Sequence, residues 1–147
     1  AVWWCEGAAH TFRRVAVRPG ATIVSALDEG RQVATVVGEK VELHHLETGE
    51  SVAFQARSTR PTDALSSEDG RFLFLAAVDG DIEVWTPTNP TLVARWHGHR
   101  ARISHLSASH GALLSSGWDG LAKRWSLAPL DFELEQFERA TKAAWDF

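Results

Sequence analysis

Turn signals recur along this chain at a nearly constant interval, and each is followed by the same order of apolar and polar positions. The turns are 40 and 41 residues apart, at Glu29-Gly30-Arg31, Asp69-Gly70-Arg71 and His110-Gly111-Ala112. An apolar run follows each turn, at 33–37, 72–76 and 112–115. A segment of alternating apolar and polar residues comes next, at 40–46, 81–86 and 121–127. Period-two alternation is typical of β-strands, and self-similarity at a fixed period predicts a repeat architecture of successive sheets.

This period divides the chain into units. Residues 19–59 and 60–98 are each predicted to form one complete unit. Residues 99–130 are predicted to form a last unit that lacks its outer strand, because no strand pattern follows Pro129. Residues 1–18 are interpreted as the end of a preceding unit, whose third and outer strands would lie at 2–4 and 11–17.

The final segment, residues 131–147, changes its period. From Leu130 onward, a set of mostly apolar residues follows helical spacing: Leu130, Leu134, Phe137, Thr141, Ala144 and Trp145. Asp131 is a suitable N-cap for such a helix. The pattern predicts a short amphipathic C-terminal helix whose apolar side contacts the parent domain or, alternatively, a partner.

The segment from Trp96 to Leu127 contains a Gly-His pair, an Asp-Gly turn about twenty residues later, and a Trp six residues after the Asp. This segment resembles one WD40 repeat, the blade unit of a β-propeller. The resemblance implies an all-β fold, a partial WD40-type propeller of four-stranded antiparallel blades with a short C-terminal helix. It also implies a structural hydrogen-bond tetrad, formed here by His99, Ser115, Asp119 and Trp125.

The other repeats match this pattern less completely. The unit before the last keeps Asp79 and Trp85 as a partial tetrad, but it has Leu75 at the serine position. The unit before that has His44 in place of the tryptophan and Gly38 near the turn. We therefore expect these two blades to depend on apolar packing.

The repeats amount to about three and a half blades, which is too few for a closed ring. Propellers remove their sheet edges by closing on themselves, and they do so with about four blades or more. The chain is therefore interpreted as the C-terminal portion of a propeller. Its first expected partner is the remainder of its own ring, on another segment or another chain.

The resemblance implies that partners bind on one face of the propeller. Trp118 directly precedes the turn aspartate, a position that projects onto this face in the family, and Val78 holds the same position one repeat earlier. Arg100 and Arg102 lie nearby in the sequence. These residues are the partner-face candidates of a non-catalytic protein-interaction or sensor platform, the regulatory module of a larger bacterial signalling protein.

Several alternatives remain open at this point. Trp118 could instead pack on the neighbouring blade or on the C-terminal helix. The arginines fall into two groups, one at Arg95, Arg100 and Arg102 and the other at Arg13, Arg14 and Arg18. These groups form either a solvated surface or a site for an acidic partner or nucleic acid. An enzyme with its site in the propeller tunnel is the remaining alternative, although the predicted innermost strands offer few catalytic side chains.

Composition limits the classes of function further. The formal net charge of −4 gives no general attraction to nucleic acid or to an anionic membrane, and no apolar run is long enough to span a bilayer. The single cysteine, Cys5, fits a reducing compartment, and a cytoplasmic location is expected. Neither the His97/His99 pair nor the adjacent histidines His44 and His45 has the spacing of a metal motif, and nothing positions a third group beside Cys5 and His10. No metal, cofactor or catalytic residue is therefore predicted.

Overall fold

The computed structural model describes residues 2–6, 11–15 and 20–130, and its regular structure is almost entirely β. The strands in chain order are β1 (Val2–Glu6), β2 (Thr11–Val15), β3 (Ile23–Leu27), β4 (Gln32–Val37), β5 (Lys40–His45), β6 (Ser51–Gln55), β7 (Pro61–Ser66), β8 (Leu73–Ala77), β9 (Asp81–Thr86), β10 (Thr91–His97), β11 (Ile103–Ser109), β12 (Ala112–Gly117) and β13 (Ala122–Ser126). A 3-10 turn spans Asp28–Gly30, and residues 128–130 have helical backbone.

Each sheet is an antiparallel meander in which every strand pairs with its neighbour in the sequence. The described strands form a pair, β1-β2, two four-stranded sheets, β3-β4-β5-β6 and β7-β8-β9-β10, and a three-stranded sheet, β11-β12-β13. Short turns join the strands within a sheet, and the segments 56–60 and 98–102 lead from one sheet to the next. This arrangement is that of successive propeller blades, so the predicted fold class is confirmed.

The first strands of the three larger sheets lie against one another. Ser25 Oγ on β3 donates to the carbonyl of Ala64 on β7 at 2.7 Å, and Thr62 Oγ1 on β7 donates to the carbonyl of Ile103 on β11 at 2.6 Å. These hydrogen bonds tie each blade to the next at the strand nearest to the propeller axis. Strands β3, β7 and β11 are therefore the innermost strands.

Two apolar cores lie between successive sheets. The first joins the β3–β6 and β7–β10 sheets, and it includes Val36, Val41, Leu75 and Trp85. The second joins the β7–β10 and β11–β13 sheets, with Phe74, Ile82, Val84, Ile103 and Leu113 among its members. Every residue of β8 is buried because the sheet that contains it is covered on both faces.

The sheets fall within the predicted units 19–59, 60–98 and 99–130, and β1 and β2 correspond to the strands expected at the end of a preceding unit. The last sheet has three strands in the described part of the chain, with β13 at its edge. Helical backbone begins at 128, three residues before the predicted start, and the rest of the predicted C-terminal helix lies outside the described residues. Within 2–6, 11–15 and 20–130, no helix has the length and apolar character needed to cross a membrane.

Candidate partner face and the hydrogen bonds beneath it

Chain direction alternates from strand to strand, so the loops gather at two ends of the blades. One end carries the hairpin turns at 38–39, 78–80 and 118–121 together with the segments 56–60 and 98–102 that enter the next blade. We call this end the upper face. The opposite end, the lower face, carries the loops at 28–31, 46–50, 67–72, 87–90 and 110–111.

A chain of four hydrogen-bonded side chains, which we call the relay, lies directly beneath the upper face in the last blade. Trp125 Nε1 donates to Ser115 Oγ at 2.9 Å, and that oxygen lies 2.7 Å from His99 Nε2. His99 Nδ1 lies 2.9 Å from Asp119 Oδ1. One set of protons satisfies every contact: the serine hydroxyl donates to Nε2, and a neutral imidazole donates from Nδ1 to the carboxylate. The structure thus brings together the four residues that the resemblance implied.

The turn that carries Asp119 explains why this aspartate can reach the histidine. Asp119 also accepts hydrogen bonds from the backbone N–H groups of Arg100 and Leu121, each at 3.1 Å. The hydrogen bond from His99 is the largest influence on its carboxyl, and with the two backbone donors it lowers the pKa of Asp119 from 3.8 to about 2, against the opposing effect of burial. A Cβ at Gly117 would lie 2.6 Å from His99 Nδ1, so this position must be glycine for the imidazole to approach.

Ser115, His99 and Asp119 are in the order of a nucleophile, a base and an orienting carboxylate. However, Ser115 is 2% exposed and His99 is 1% exposed, so a substrate has no access to the hydroxyl. The same hydroxyl oxygen also accepts the indole N–H. The arrangement is therefore suited to holding the 98–102 segment on the last sheet. Lys123 adds to this anchoring because its Nζ donates to the carbonyl of Gly98 at 2.6 Å.

In the preceding blade, a glutamate takes the place of the serine as the hydrogen-bond partner of the tryptophan, which the sequence did not reveal. Trp85 Nε1 donates to Glu83 Oε2 at 2.7 Å, and the other carboxylate oxygen of Glu83 accepts the backbone N–H of Ser58. Glu83 is completely buried. Asp79 keeps the turn role, since its Oδ2 accepts the N–H of Thr59 at 3.0 Å. The signal available in the sequence was Leu75, which leaves the indole without a hydroxyl acceptor.

The blade formed by β3–β6 contains a third kind of hydrogen-bonded pair, a threonine with a histidine. Thr35 lies at the serine position of this repeat, and its Oγ1 is 3.2 Å from His44 Nε2. Both of the less complete blades pack through apolar cores, as expected, but the expectation was incomplete. In each of them a polar pair is also present, because a buried ring N–H or hydroxyl needs a partner.

The partner-face candidates lie on the upper face and are exposed. Trp118 is 71% exposed, which does not support the alternative that it packs on a neighbouring blade, and Val78 is 37% exposed. The guanidinium of Arg102 stacks over the Trp118 ring, 5.3 Å from its centroid. Arg100 is also exposed on this face.

The other groupings suggested by the sequence do not form. Arg95 lies on the outer strand β10 and pairs with Asp81 at 2.7 Å, so it does not join Arg100 and Arg102. His97 also binds Asp81, at 2.9 Å, whereas its neighbour His99 points into the relay. His10 and Arg18 lie outside the described residues, and the side chains of Cys5, Arg13 and Arg14 are not described. In the described ranges, no three His, Cys, Asp or Glu side chains are grouped as metal ligands.

Comparison with known proteins supports the fold but does not assign the chain to a family. No family model matches the chain. Protein ROOT INITIATION DEFECTIVE 3 from Arabidopsis thaliana, a WD40 protein, is 33% identical over 81 residues, which is 52% of this chain and 18% of the relative. Among solved structures, a chain of the mitotic checkpoint complex is 23% identical with a TM-score of 0.69, and U3-55K is 17% identical with a TM-score of 0.69. The computationally designed Ika4 protein is 22% identical with a TM-score of 0.63.

These matches cover most of this chain but only part of the other proteins. The structural matches include 78% of this chain for both the checkpoint chain and U3-55K, which correspond to 37% and 38% of those chains. For Ika4 the shares are 73% of this chain and 66% of the designed one. The chain therefore spans less than two thirds of each of these proteins, and at these identities the structural likeness establishes the fold alone.

Proposed function

We propose that this chain is a non-catalytic protein-interaction platform whose binding surface is the upper face of a WD40-type propeller. The observation that carries the proposal is the 71% exposure of Trp118 on that face. A large aromatic side chain contributes more than most residues to binding when a partner buries it. The backbone that presents the indole is held in two ways: Trp118 N donates to the carbonyl of Arg102 at 2.8 Å, and Asp119 of the relay accepts the N–H of Arg100 at 3.1 Å.

The same proposal includes a structural partner, the remainder of the propeller ring. Among the described residues, strand β13 lies at the edge of its sheet, and Leu114 on the neighbouring strand is 42% exposed. Unpaired edges and exposed apolar sheet faces favour association with further strands. A place within a larger signalling protein, and a cytoplasmic location, stay predictions from the sequence.

The test begins with a protein that copurifies with the full chain in its native host. The proposal expects Trp118→Ala to weaken capture of that protein by about 30-fold, the loss expected when a hot-spot aromatic is truncated. Arg31→Ala is the control, since it truncates an exposed side chain on the lower face, away from both proposed binding surfaces. Equal capture by the native chain and the Trp118→Ala variant would show that the partner uses another surface.

A further inference from the structure

We propose that the partner presents an extended acidic segment to the upper face, and that this segment is held at two equivalent sites in successive blades. The inference rests on the proposed interaction platform and names the chemistry of its partner. Each of the two sites, which we call stations, combines one exposed apolar side chain with one exposed arginine. The first station is Val78 with Arg60, and the second is Trp118 with Arg102.

The two stations are built by the same backbone contact. Val78 N donates to the carbonyl of Arg60 at 3.1 Å, and Trp118 N donates to the carbonyl of Arg102 at 2.8 Å. In both blades the residue before the turn aspartate is therefore fixed beside an arginine of the segment that enters the blade. This repetition places a cation and an apolar surface at corresponding points of neighbouring blades.

The charge of the upper face differs from that of the lower face. The upper face carries four exposed arginines, and no ion-pair partner occurs for them among the described residues: Arg57, Arg60, Arg100 and Arg102. Its carboxylates are Glu39, Asp79 and Asp119, and the two aspartates already accept hydrogen bonds within the blades.

The lower face is acidic. By sequence its loops have six acidic residues, Asp28, Glu29, Glu47, Glu50, Glu68 and Asp69, against two arginines, Arg31 and Arg71. One of these arginines, Arg71, pairs with Asp69 at 2.7 Å. Although the whole chain has a formal net charge of −4, an acidic segment would be attracted to the upper face and repelled from the lower one.

The separation of the stations sets the spacing of the acidic residues. Sheets packed face to face are about 10 Å apart, so corresponding points on neighbouring blades are separated by about that distance. A polyproline II segment rises about 3.1 Å per residue with three residues per turn, which places residues i and i+3 on one side about 9 Å apart. The preferred segment therefore has acidic residues at i and i+3, with apolar neighbours that contact Trp118 and Val78.

The test measures fluorescence anisotropy of labelled nine-residue peptides with the full chain. Each peptide carries two glutamates, two to six positions apart, in a background of proline and leucine, and a matched set replaces glutamate by glutamine. The i, i+3 peptide should bind most tightly, and its glutamine counterpart should bind at least about fivefold more weakly. Binding should also weaken as the salt concentration rises from about 50 to about 500 mM, because the Debye length then falls about threefold and the attraction between the charges is screened.

Charge reversal then tests the stations themselves. Arg60→Glu combined with Arg102→Glu should lower the affinity at least about fivefold, whereas Arg31→Glu on the lower face should leave it unchanged. The proposal is overturned if the glutamine peptides bind equally well, if Arg31→Glu has the same effect, or if a twelve-residue deoxythymidine strand binds more tightly than the best acidic peptide. If the acidic peptides fail while Trp118→Ala still weakens capture of the copurifying protein, the platform stands and the acidic partner is rejected.

Discussion

Replacing Ser115 by alanine tests whether the relay stabilises the last blade. The substitution leaves His99 Nε2 without its donor and Trp125 Nε1 without its acceptor, two contacts that measure 2.7 and 2.9 Å. A buried polar group that loses its partner costs about 1–3 kcal/mol. The histidine is fully buried and the tryptophan only partly, so we expect the free energy of unfolding to fall by about 2–3 kcal/mol. In a chain of this length that loss lowers the melting temperature by about 5–10 °C.

The assay is urea unfolding of the full chain, followed by circular dichroism, with the midpoint compared at constant slope. Ser116→Ala is the matched control on the same strand, because its exposed hydroxyl contacts only Ser104 Oγ at 3.2 Å, and it should change stability by less than about 0.5 kcal/mol. A double-mutant cycle with Trp125→Phe should give a coupling energy of about 1 kcal/mol. Equal effects of the two serine substitutions, or no coupling, would refute the stabilising role of the relay.

Three further predictions concern the other buried polar groups and the turns. Glu83→Gln replaces a carboxylate that accepts two N–H groups by an amide with only one acceptor oxygen, so it should lower the free energy of unfolding by at least about 1 kcal/mol in thermal melts; an unchanged melting temperature would contradict this. The pKa of Asp119 falls from 3.8 to about 2 on folding, so its contribution to stability is complete above pH 4 and is lost as the pH falls through 2. The difference in melting temperature between the native chain and Asp119→Asn should therefore shrink between pH 4 and pH 2, and a constant difference would disprove the assignment. Gly80→Ala should destabilise more than Gly120→Ala, as measured by urea midpoints, because both glycines have positive φ but only at Gly80 would the Cβ overlap the carbonyl of His99; equal losses would show that φ alone decides.

The period of the sequence was sufficient to predict the strands closely. The predicted apolar and alternating segments differ from the observed strands by at most two residues at any end, as at 112–115 against β12 (Ala112–Gly117). Regular turns and strands carry this information locally, because each meander pairs neighbours in the sequence. Strand signals in the sequence stop after β13 (Ala122–Ser126), and the last sheet has three strands within the described residues; the prediction that it lacks an outer strand stays a prediction.

The buried glutamate could not be predicted in the same way. Alternation along β9 treats Glu83 as a polar position on one side of a half-buried strand. In the fold, however, this sheet lies between two others, so both sides of β9 are covered. The donor that Glu83 accepts from the backbone belongs to Ser58, 25 residues away in the segment that enters the blade. Only the three-dimensional arrangement brings the two together.

The exposure of the side chains on the upper face also could not be predicted from the sequence alone. The repeat placed Trp118 and Val78 at corresponding positions, but whether an indole at a turn lies on a neighbouring blade or in water depends on the packing around it. The stacking of Arg102 on the ring similarly depends on a backbone hydrogen bond between segments that lie 16 residues apart. Arg95, by contrast, looked equivalent in sequence and is bound by Asp81 on the outer strand.

Comparison of the three larger sheets explains how the chain keeps the blade fold although no family model matches its sequence. In each of the three blades a buried or partly buried ring on the third strand finds a hydrogen-bond partner, but the partner differs: a threonine for His44, a glutamate for Trp85, and the serine of the relay for Trp125. The physical requirement is conserved between the blades, whereas the residue types are not. The earlier repeats therefore match the WD40 sequence pattern less well than the last one does. The meander, the apolar cores and the contacts between innermost strands are nevertheless the same in kind from blade to blade.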